Sequence, residues 1–198
     1  MRDLWDFDSL ICSDSIIAGV DEAGRGPLAG PVVSAAVILN KEIIIENLND
    51  SKKLSPKIRL AVYKEIIKNC IEYQVGIVDN FTIDRINILE ATKLSMKTAI
   101  EKLDTLPELA IIDGNQYIDI SIKQKNIISG DSKSASIAAA SVIAKVTRDL
   151  MMDEFDKKYP EYGFAQHKGY GTEKHIAAIK KYGPCEIHRR SFEPVKSY

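Results

Sequence analysis

The sequence predicts an α/β protein in which short apolar strands alternate with helices. Valine, isoleucine and alanine dominate several runs of about four to eight residues, which is typical of buried strands. The segments between these runs carry helix N-cap residues or end near glycine or proline. The chain has 198 residues, of which 45% are hydrophobic and 28% charged, so we expect one domain with a substantial core. This length also accommodates a small second lobe.

The first half of the chain predicts four strands and one helix. The strands are predicted over the apolar runs at residues 17–22, 32–39, 42–45 and 71–78. The strand at 42–45 would pair with the one before it through a turn at Asn40 and Lys41. Ser55 and Pro56 suit the N-cap and first residue of a helix over residues 57–68. We expect this helix to bury Ile58, Val62 and Ile66.

The second half predicts three helices and two short strands. The helices are predicted over residues 88–103, 134–158 and 173–181. The strands are predicted over residues 109–112 and 126–129. Residues 81–87 and 159–170 are predicted to be connecting segments. The second of these helices begins with alanine and serine residues, so its backbone can approach the sheet closely. Asp131 lies just before this helix and suits its N-cap. Asp149 is ~27 Å further along the helix and cannot share a site with Asp131.

The charge of the chain is nearly balanced overall but uneven along its length. The formal net charge is −1, which provides no general attraction for a polyanion. Residues 164–198 are locally basic, with seven lysine or arginine residues, three glutamates and all three histidines. Such a segment, with Tyr170 among its cations, suits a phosphate backbone, and it is equally consistent with a solvated helix face.

Cysteine usage and the N-terminus indicate the compartment. Cys12, Cys70 and Cys185 are odd in number and far apart, which argues against a disulfide framework or a structural zinc site and favours a reducing environment. The N-terminus is too acidic for a signal peptide, and no apolar run approaches the ~18 residues that span a bilayer. The sequence therefore predicts a cytoplasmic protein without a membrane segment.

Four carboxylates stand where predicted strands end. Asp21 and Glu22 end the first strand, whereas Asp113 and Asp131 follow the strands at 109–112 and 126–129. Sites in α/β folds are built at such ends. With no cysteine or histidine nearby in sequence, these residues would form an all-oxygen site, which selects Mg²⁺ or Mn²⁺ over zinc and favours phosphate chemistry. Each acid also suits a turn or a helix cap.

The first strand raises a geometric difficulty. Side chains alternate along a strand, so Asp21 and Glu22 point to opposite faces. Both can reach one pocket only if the strand bends or ends between Glu22 and Gly24. The Gly24-Arg25-Gly26 turn permits such a change and lets a ligand approach the main chain closely, and an ordinary solvated turn is the alternative.

Five segments, taken together, resemble bacterial ribonuclease HII, the type 2 ribonuclease H. They are residues 17–31, 49–54, 111–115, 130–149 and 167–172, and they cover most of the chain in order. The resemblance implies a ribonuclease H-like fold, with a five-stranded mixed sheet flanked by helices and a helical C-terminal portion. Within one type 2 domain spanning residues 1–198, the catalytic core would lie at about 16–158 and a substrate-contacting segment at about 159–198.

The resemblance also implies an activity and its residues. The enzyme would hydrolyse the RNA strand of RNA·DNA hybrids and nick 5′ to single ribonucleotides in duplex DNA, leaving 5′-phosphates, as a monomer that serves DNA repair and replication. Two Mn²⁺ or Mg²⁺ ions would assist the hydrolysis. The implied catalytic and metal-binding residues are Asp21, Glu22, Asp113 and Asp131. The implied substrate-binding residues are Gly24, Arg25 and Gly26, which would read the ribose 2′-hydroxyl, with Tyr170, Lys52 and Asn87.

Three other interpretations fit parts of this pattern. A hybrid-binding protein without catalytic activity would use the acids only as caps and turns. Ribonuclease HIII cleaves similar hybrids but typically carries an additional N-terminal domain, whereas 16 residues precede the first strand here. Another nuclease or integrase of the same superfold would act on DNA without a ribonucleotide, and the Gly-Arg-Gly turn disfavours it.

Overall fold

A five-stranded mixed sheet forms the centre of the molecule. The computed structural model describes residues 2–12 and 15–198. The strands lie in the order β3-β2-β1-β4-β5. Neighbours β1, β4 and β5 are parallel, whereas β2 runs antiparallel to both β1 and β3. Their bounds are β1 Ile17–Ala23, β2 Val32–Leu39, β3 Cys70–Val78, β4 Leu109–Asp113 and β5 Lys123–Ile127.

Helices cover both faces of this sheet. One face packs against α2 and α4, around Ala35, Val37 and the alanines of α4. The other face packs against α3, around Val20, Ala36 and Met96. The helices of the described chain are α1 Arg2–Ile11, α2 Pro56–Asn69, α3 Asn80–Glu101, α4 Ala135–Lys158, α5 Phe164–His167 and α6 Glu173–Tyr182. The fold is therefore the expected α/β, ribonuclease H-like arrangement. No helix in the described part of the chain is long and apolar enough to span a membrane.

The strand predicted at residues 42–45 is wrong. This segment is irregular, because both edges of β2 are already occupied by β1 and β3. Ile45 is buried and contributes to the core, whereas Ile44 is exposed. The strand predicted at 126–129 exists but is shifted, since β5 begins at Lys123 and ends at Ile127.

The predicted helices exist near the expected residues, but several of their bounds and buried residues differ from the prediction. Ser55 caps α2 as predicted, with its side chain accepting from the Ile58 amide, yet Ile58 is 43% exposed and only the other two expected residues are buried. The predicted connector at 81–87 is helical, because α3 begins at Asn80. Asn87 marks a kink within that helix, at φ 66°. Helix α1 was not predicted, and α5 lies within the predicted loop at 159–170.

Small residues let α4 approach the centre of the sheet closely, as predicted. A Cβ added to Gly19 in β1 would lie 2.1 Å from the main-chain carbon of Ser136. Only glycine fits at this contact. The Ser136 amide and hydroxyl both donate to Asp8 of α1, each at 2.8 Å, which anchors α1 to the start of α4. The contact fixes α4 beside the strand that carries Asp21.

The C-terminal portion packs against the far end of α4 and against the segment after β1. Leu28 and Met152 share an apolar cluster with Phe164, Ile179 and Ile187. Main-chain hydrogen bonds join the same parts, from Leu28 to Gly169 and from Gly30 to Ile187. The loop after β1 is therefore held between α4 and the C-terminal residues.

Candidate metal centre and nucleic-acid site

Three carboxylates meet at the ends of the parallel strands. Val20 of β1 pairs with Ile112 of β4, so Asp21 and Asp113 each follow directly after a pair of neighbouring residues. Oxygen atoms of Asp21, Asp113 and Asp131 all lie within 4.8 Å of one another. The sheet register thus brings together residues that are 92 and 110 positions apart in the chain. Glu22 does not belong to this group of three.

A hydrogen bond joins the ends of β4 and β5. Asp113 Oδ1 accepts from the Gly130 amide at 2.6 Å, which places the next residue, Asp131, beside Asp113. Asp131 lies in a single 3₁₀ turn, Gly130–Ser132. The prediction that Asp131 caps α4 is wrong, because the Ser134 side chain accepts from the Ile137 amide and caps that helix. Asp131 is consequently free to face the other two carboxylates.

The first strand ends where the geometry requires. Regular pairing continues as far as Ala23, and Gly24 then adopts φ 97°. Asp21 shares the α4 face of β1 with Gly19, whereas Glu22 lies on the opposite face. Both side chains nevertheless line one pocket, since they sit at the end of the strand. Glu22 forms an ion pair with Arg25 at 3.3 Å.

We call Asp21, Asp113 and Asp131 the acidic group, and its charges repel one another when no cation is bound. Burial raises the pKa of Asp21 well above its ordinary value, and the charges of Glu22 and Asp113 raise it further. Burial also raises the pKa values of Glu22 and Asp113, against the opposing effects of Arg25 on the first and of the Gly130 amide on the second. Such repulsion is relieved by a bound cation. An all-carboxylate donor set therefore fits a hard divalent ion.

Lys52 supplies a positive charge beside this group. Its ammonium lies 3.3 Å from Asp131 Oδ2. Partial burial lowers the pKa of Lys52, but the charges of Asp131 and Asp21 more than offset this effect and raise it above its ordinary value. The lysine side chain is 75% exposed at the mouth of the pocket, so it can also contact a ligand.

Hydrogen bonds from α4 and from Arg59 hold the loop that carries Lys52. Ser51 Oγ and Ser141 Oγ of α4 are hydrogen-bonded at 2.9 Å, and Arg59 donates to the Ser51 carbonyl at 2.7 Å. Asp149 pairs with Arg59 and Lys145, at 3.8 and 2.7 Å, and stays outside the group of three carboxylates as predicted. Ser51 and Lys145 lie within two of the segments that resemble ribonuclease HII, but sequence reasoning assigned them no role.

One pocket of about 240 Å³ collects most of the predicted site residues. Tyr170 lies across from Gly26, where an added Cβ would be 3.8 Å from the ring carbon Cε1. Asn87 does not line this pocket and instead caps the second part of α3 by accepting from the Leu89 and Glu90 amides. The lining residues are Asp21, Glu22, Ala23, Gly24, Arg25, Gly26, Ser51, Lys52, Asp113, Lys145 and Tyr170.

Two buried arginines, also missed from the sequence, hold the loop after β1. Arg148 donates to the carbonyls of Ala29, Pro31 and Lys168 at 2.9 to 3.0 Å. Arg148 lies at helical spacing from the buried residues Ser141 and Met152, so its place on the buried face of α4 was the available signal.

Arg189 binds the part of the loop nearest the pocket. It donates to the carbonyls of Gly24, Arg25 and Gly30 at 2.5, 2.8 and 3.0 Å. Nothing in the local sequence separates Arg189 from the exposed Arg190 beside it. The two residues differ only in where the fold places them.

A chain of histidines supports the main chain at Tyr170. His175 Nδ1 lies 2.9 Å from the Tyr170 carbonyl, and His175 Nε2 lies 3.0 Å from His188 Nε2. The carbonyl only accepts, so His175 Nδ1 donates, and the neutral ring then accepts at Nε2 from His188. His188 Nδ1 in turn accepts from the Cys185 amide at 2.9 Å. Both rings are therefore neutral, in opposite tautomers.

The histidine chain predicts a stability contribution that is lost in mild acid. Burial lowers the pKa values of His175 and His188 to about 4, whereas unfolded histidine titrates near pH ~6.5. Between these two pH values only the unfolded chain binds protons at the two histidines, which favours unfolding. The contribution of the neutral histidines to the free energy of unfolding is therefore fully present above pH ~6.5 and is lost as the pH falls through the folded pKa. We expect the free energy of unfolding to lose about 4 kcal/mol from the two histidines together between pH 7 and pH 5.

Urea unfolding of the wild type and of His188→Gln across this range measures the contribution. The comparison with the variant is needed because the buried carboxylates also change the free energy of unfolding with pH. Their pKa values are raised, so their effect has the opposite sign to that of the histidines. Equal pH dependence in the wild type and His188→Gln would contradict the assignment.

These features define the class of protein. A mixed sheet that brings carboxylates together at its parallel strand ends, beside a glycine-rich loop and a lysine, is typical of metal-dependent nucleases with the ribonuclease H fold. The chain belongs to the ribonuclease HII family, whose model matches residues 18–195. Members of this family are endonucleases that act on RNA–DNA substrates. The earlier resemblance is thereby confirmed.

Similar proteins support the same assignment. Ribonuclease HII of Caldicellulosiruptor saccharolyticus is 57% identical over 176 residues, which cover 89% of this chain and 86% of that protein. Ribonuclease HII of Bacillus pumilus is 58% identical over 181 residues, covering 91% and 71%. Ribonuclease H2 from Pyrococcus horikoshii superposes with a TM-score of 0.76 at 29% identity, covering 91% of this chain and 95% of that one.

A second solved structure has the same fold. The PCNA–ribonuclease HII complex from Archaeoglobus fulgidus matches with a TM-score of 0.76 at 27% identity, and the match covers 90% of this chain and 95% of that chain.

Proposed function

We propose that this endoribonuclease cleaves the RNA strand of RNA·DNA hybrids and also nicks duplex DNA on the 5′ side of a single embedded ribonucleotide, leaving a 5′-phosphate. One observation carries the proposal: Asp21, Glu22 and Asp113 line the same pocket as the Gly24-Arg25-Gly26 loop, and a carboxylate oxygen of Asp131 lies within 4.8 Å of Asp21 and Asp113. Carboxylates that can hold cations at the phosphate thus lie next to main-chain groups that can recognise a ribose. Ribonucleotide removal and RNA primer removal are the processes that need this activity.

The carboxylates are assigned the catalytic and metal-binding roles. Asp21, Asp113 and Asp131, together with Glu22, would hold two divalent cations, Mg²⁺ or Mn²⁺. When bound, these ions supply the positive charge that activates the attacking water and stabilises the departing 3′-oxygen. The chain itself contributes the rigid strand ends that keep the carboxylates in place, and Lys52 contributes a charge for the scissile phosphate or its neighbour.

The loop and Tyr170 are assigned the recognition of the substrate. The 2′-hydroxyl both donates and accepts hydrogen bonds, so exposed main-chain groups of residues 24–26 can distinguish ribose from deoxyribose. Tyr170 is 45% exposed beside them, and its ring is placed to stack against a sugar or base. Asn87 lies outside the pocket, and its contact with a more distant part of the nucleic-acid backbone stays a prediction.

The remaining assignments concern the whole molecule. Residues 16–158 are proposed as the catalytic core and residues 159–198 as the segment that contacts substrate, because Tyr170 approaches the pocket from the C-terminal side. A monomer suffices, since every residue assigned to the site comes from one chain. A cytoplasmic location fits three free thiols and a DNA substrate.

Cleavage assays with three duplexes test the proposal. The protein is incubated with an RNA·DNA hybrid, an RNA duplex and a DNA duplex of the same sequence, in Mg²⁺, in Mn²⁺ and in EDTA. We expect cleavage of the RNA strand of the hybrid only, and only with a divalent ion. Binding to the hybrid that is indifferent to EDTA, with no cleavage in either ion, would instead support the non-catalytic alternative, which family membership does not favour.

A further inference from the structure

The two buried arginines are unusual because they lack acidic partners. Arg148 and Arg189 are 1% and 0% exposed, and neither forms an ion pair with any carboxylate in residues 2–12 and 15–198. Burial lowers their pKa values to about 10 and about 9, and Arg148 adds to the effect on Arg189. Both remain charged at neutral pH. A buried charge is costly without compensation, so the six carbonyl oxygens around them must supply it.

The carbonyls that Arg189 binds determine where the neighbouring amides point. In a trans peptide group the C=O and N–H bonds point in opposite directions. The Gly24 and Arg25 carbonyls turn inward to the guanidinium of Arg189. The N–H groups of the same two peptides, which belong to Arg25 and Gly26, therefore point away from the buried arginine.

These two amides have no protein partner in the described chain. Neither the Arg25 nor the Gly26 amide donates a hydrogen bond to another residue of 2–12 and 15–198. Both residues line the pocket that contains the carboxylates. Two adjacent, unused donors thus face the place where a substrate would lie, and a hydroxyl or phosphate oxygen is their natural partner.

Arg148 joins the same loop to the loop that carries Tyr170. Its guanidinium spans the Ala29 and Pro31 carbonyls on one side and the Lys168 carbonyl on the other. The Leu28 amide adds a hydrogen bond to the Gly169 carbonyl at 2.8 Å. Arg148 also packs against Gly24, where an added Cβ would lie 2.1 Å from its Nε atom. The amide donors and the tyrosine are consequently held as one unit.

We infer that Arg148 and Arg189 are positioning residues for ribose recognition. By binding the inward carbonyls they fix the Arg25 and Gly26 amides as outward donors for the 2′-hydroxyl, and they hold Tyr170 at a constant distance from these donors. Neither arginine touches the substrate. The inference rests on the proposed function of the pocket and adds the residues that determine its specificity for ribose.

Binding measurements with Arg189→Lys test this inference. Lysine keeps the positive charge but cannot bind three carbonyls as a planar fork. Arg190→Lys is the matched control, because Arg190 is exposed and, among the described residues, its side chain donates only to the Pro184 carbonyl. Each is combined with Asp113→Asn to prevent cleavage, and the dissociation constants are measured for a DNA duplex with one ribonucleotide and for the all-DNA duplex.

We expect the ratio of the two dissociation constants to fall about tenfold in Arg189→Lys, as expected for one lost hydrogen bond to a charged or polar group. The affinity for all-DNA duplex and the Arg190→Lys ratio should be unchanged. An unchanged ratio in Arg189→Lys would overturn the inference, and so would an equal loss of affinity for both duplexes. A parent protein that neither prefers nor cleaves the ribonucleotide duplex would instead overturn the proposed function itself.

Amide hydrogen exchange decides the question if Arg189→Lys does not fold. In the Asp113→Asn protein, the Arg25 and Gly26 amides should exchange rapidly when free and become at least ~10-fold slower when bound to the ribonucleotide duplex. They should stay fast on all-DNA duplex. Exchange that is slow in the free protein, or equal on the two duplexes, would overturn the inference.

Discussion

Replacing Asp113 by asparagine should reduce cleavage by at least ~10³-fold, which corresponds to about 4 kcal/mol of lost stabilisation of the transition state. Asparagine has the same shape, and its side-chain oxygen can still accept from the Gly130 amide, so the connection between β4 and β5 survives. The amide cannot provide the negative charge that holds a divalent cation. The expected loss is therefore one of charge and not of structure.

The same substitution should leave the free energy of unfolding unchanged or raise it when no divalent ion is present. The pKa of Asp113 is raised by burial and by the charge of Asp131, so its ionised form is unfavourable in the folded state. Cleavage assays and urea unfolding in EDTA measure the two effects. Asp119→Asn, at a side chain that is 96% exposed, is the control and should change neither. Turnover of Asp113→Asn within tenfold of the wild type would contradict the assignment of this carboxylate.

Replacing Gly24 by alanine should damage both the stability and the activity. Its φ of 97° lies where an L-residue is strained, and the added Cβ would lie 2.1 Å from Arg148 Nε and 2.7 Å from the Pro31 carbonyl oxygen. Strain and overpacking together should cost about 3 kcal/mol or more. Displacing the loop by about 1 Å should further reduce cleavage ~10²-fold.

Gly183→Ala separates the strain from the contact. Gly183 also has a positive φ, at 73°, but nothing lies within 4 Å of an added Cβ. Its ψ of 174° places it in a region that is essentially restricted to glycine, so this variant should lose only the ~1–3 kcal/mol of backbone strain and keep its activity. Urea unfolding and hybrid cleavage of the two variants provide the comparison. If Gly24→Ala were as stable and as active as Gly183→Ala, the close packing of Arg148 against the loop would have no functional importance.

Much of the acidic site was predictable because it depends on strand ends. Asp21, Asp113 and Asp131 each follow an apolar run, and the parallel order of β1, β4 and β5 brings such ends to one edge. The detailed position of Asp131 was not predictable, since it depends on the hydrogen bond from Gly130 to a carboxylate 17 residues away. Local sequence favoured a helix cap at Asp131, and the tertiary contact prevailed.

The parts that failed depend on partners that are distant in sequence. Residues 42–45 have a strand-like composition, yet the edge of β2 that they would need is taken by β3. The buried arginines resemble surface residues in the sequence, and only the fold supplies the six carbonyls that make their burial tolerable, five from the loop after β1 and one from Lys168. Asn87 was assigned by resemblance and lies in the kink of α3 away from the pocket, so its role does not follow from the pocket and stays a prediction.

The most direct test maps the nick in duplex DNA that carries one ribonucleotide. The central claim is that the acidic group acts on the phosphate beside a ribose held by the loop after β1. The wild-type protein with Mg²⁺ or Mn²⁺ should cut once, on the 5′ side of the ribonucleotide, and leave a 5′-phosphate on the product that contains it. Cleavage on the 3′ side, cleavage of the all-DNA duplex, or no cleavage of a substrate that the protein binds would contradict the claim.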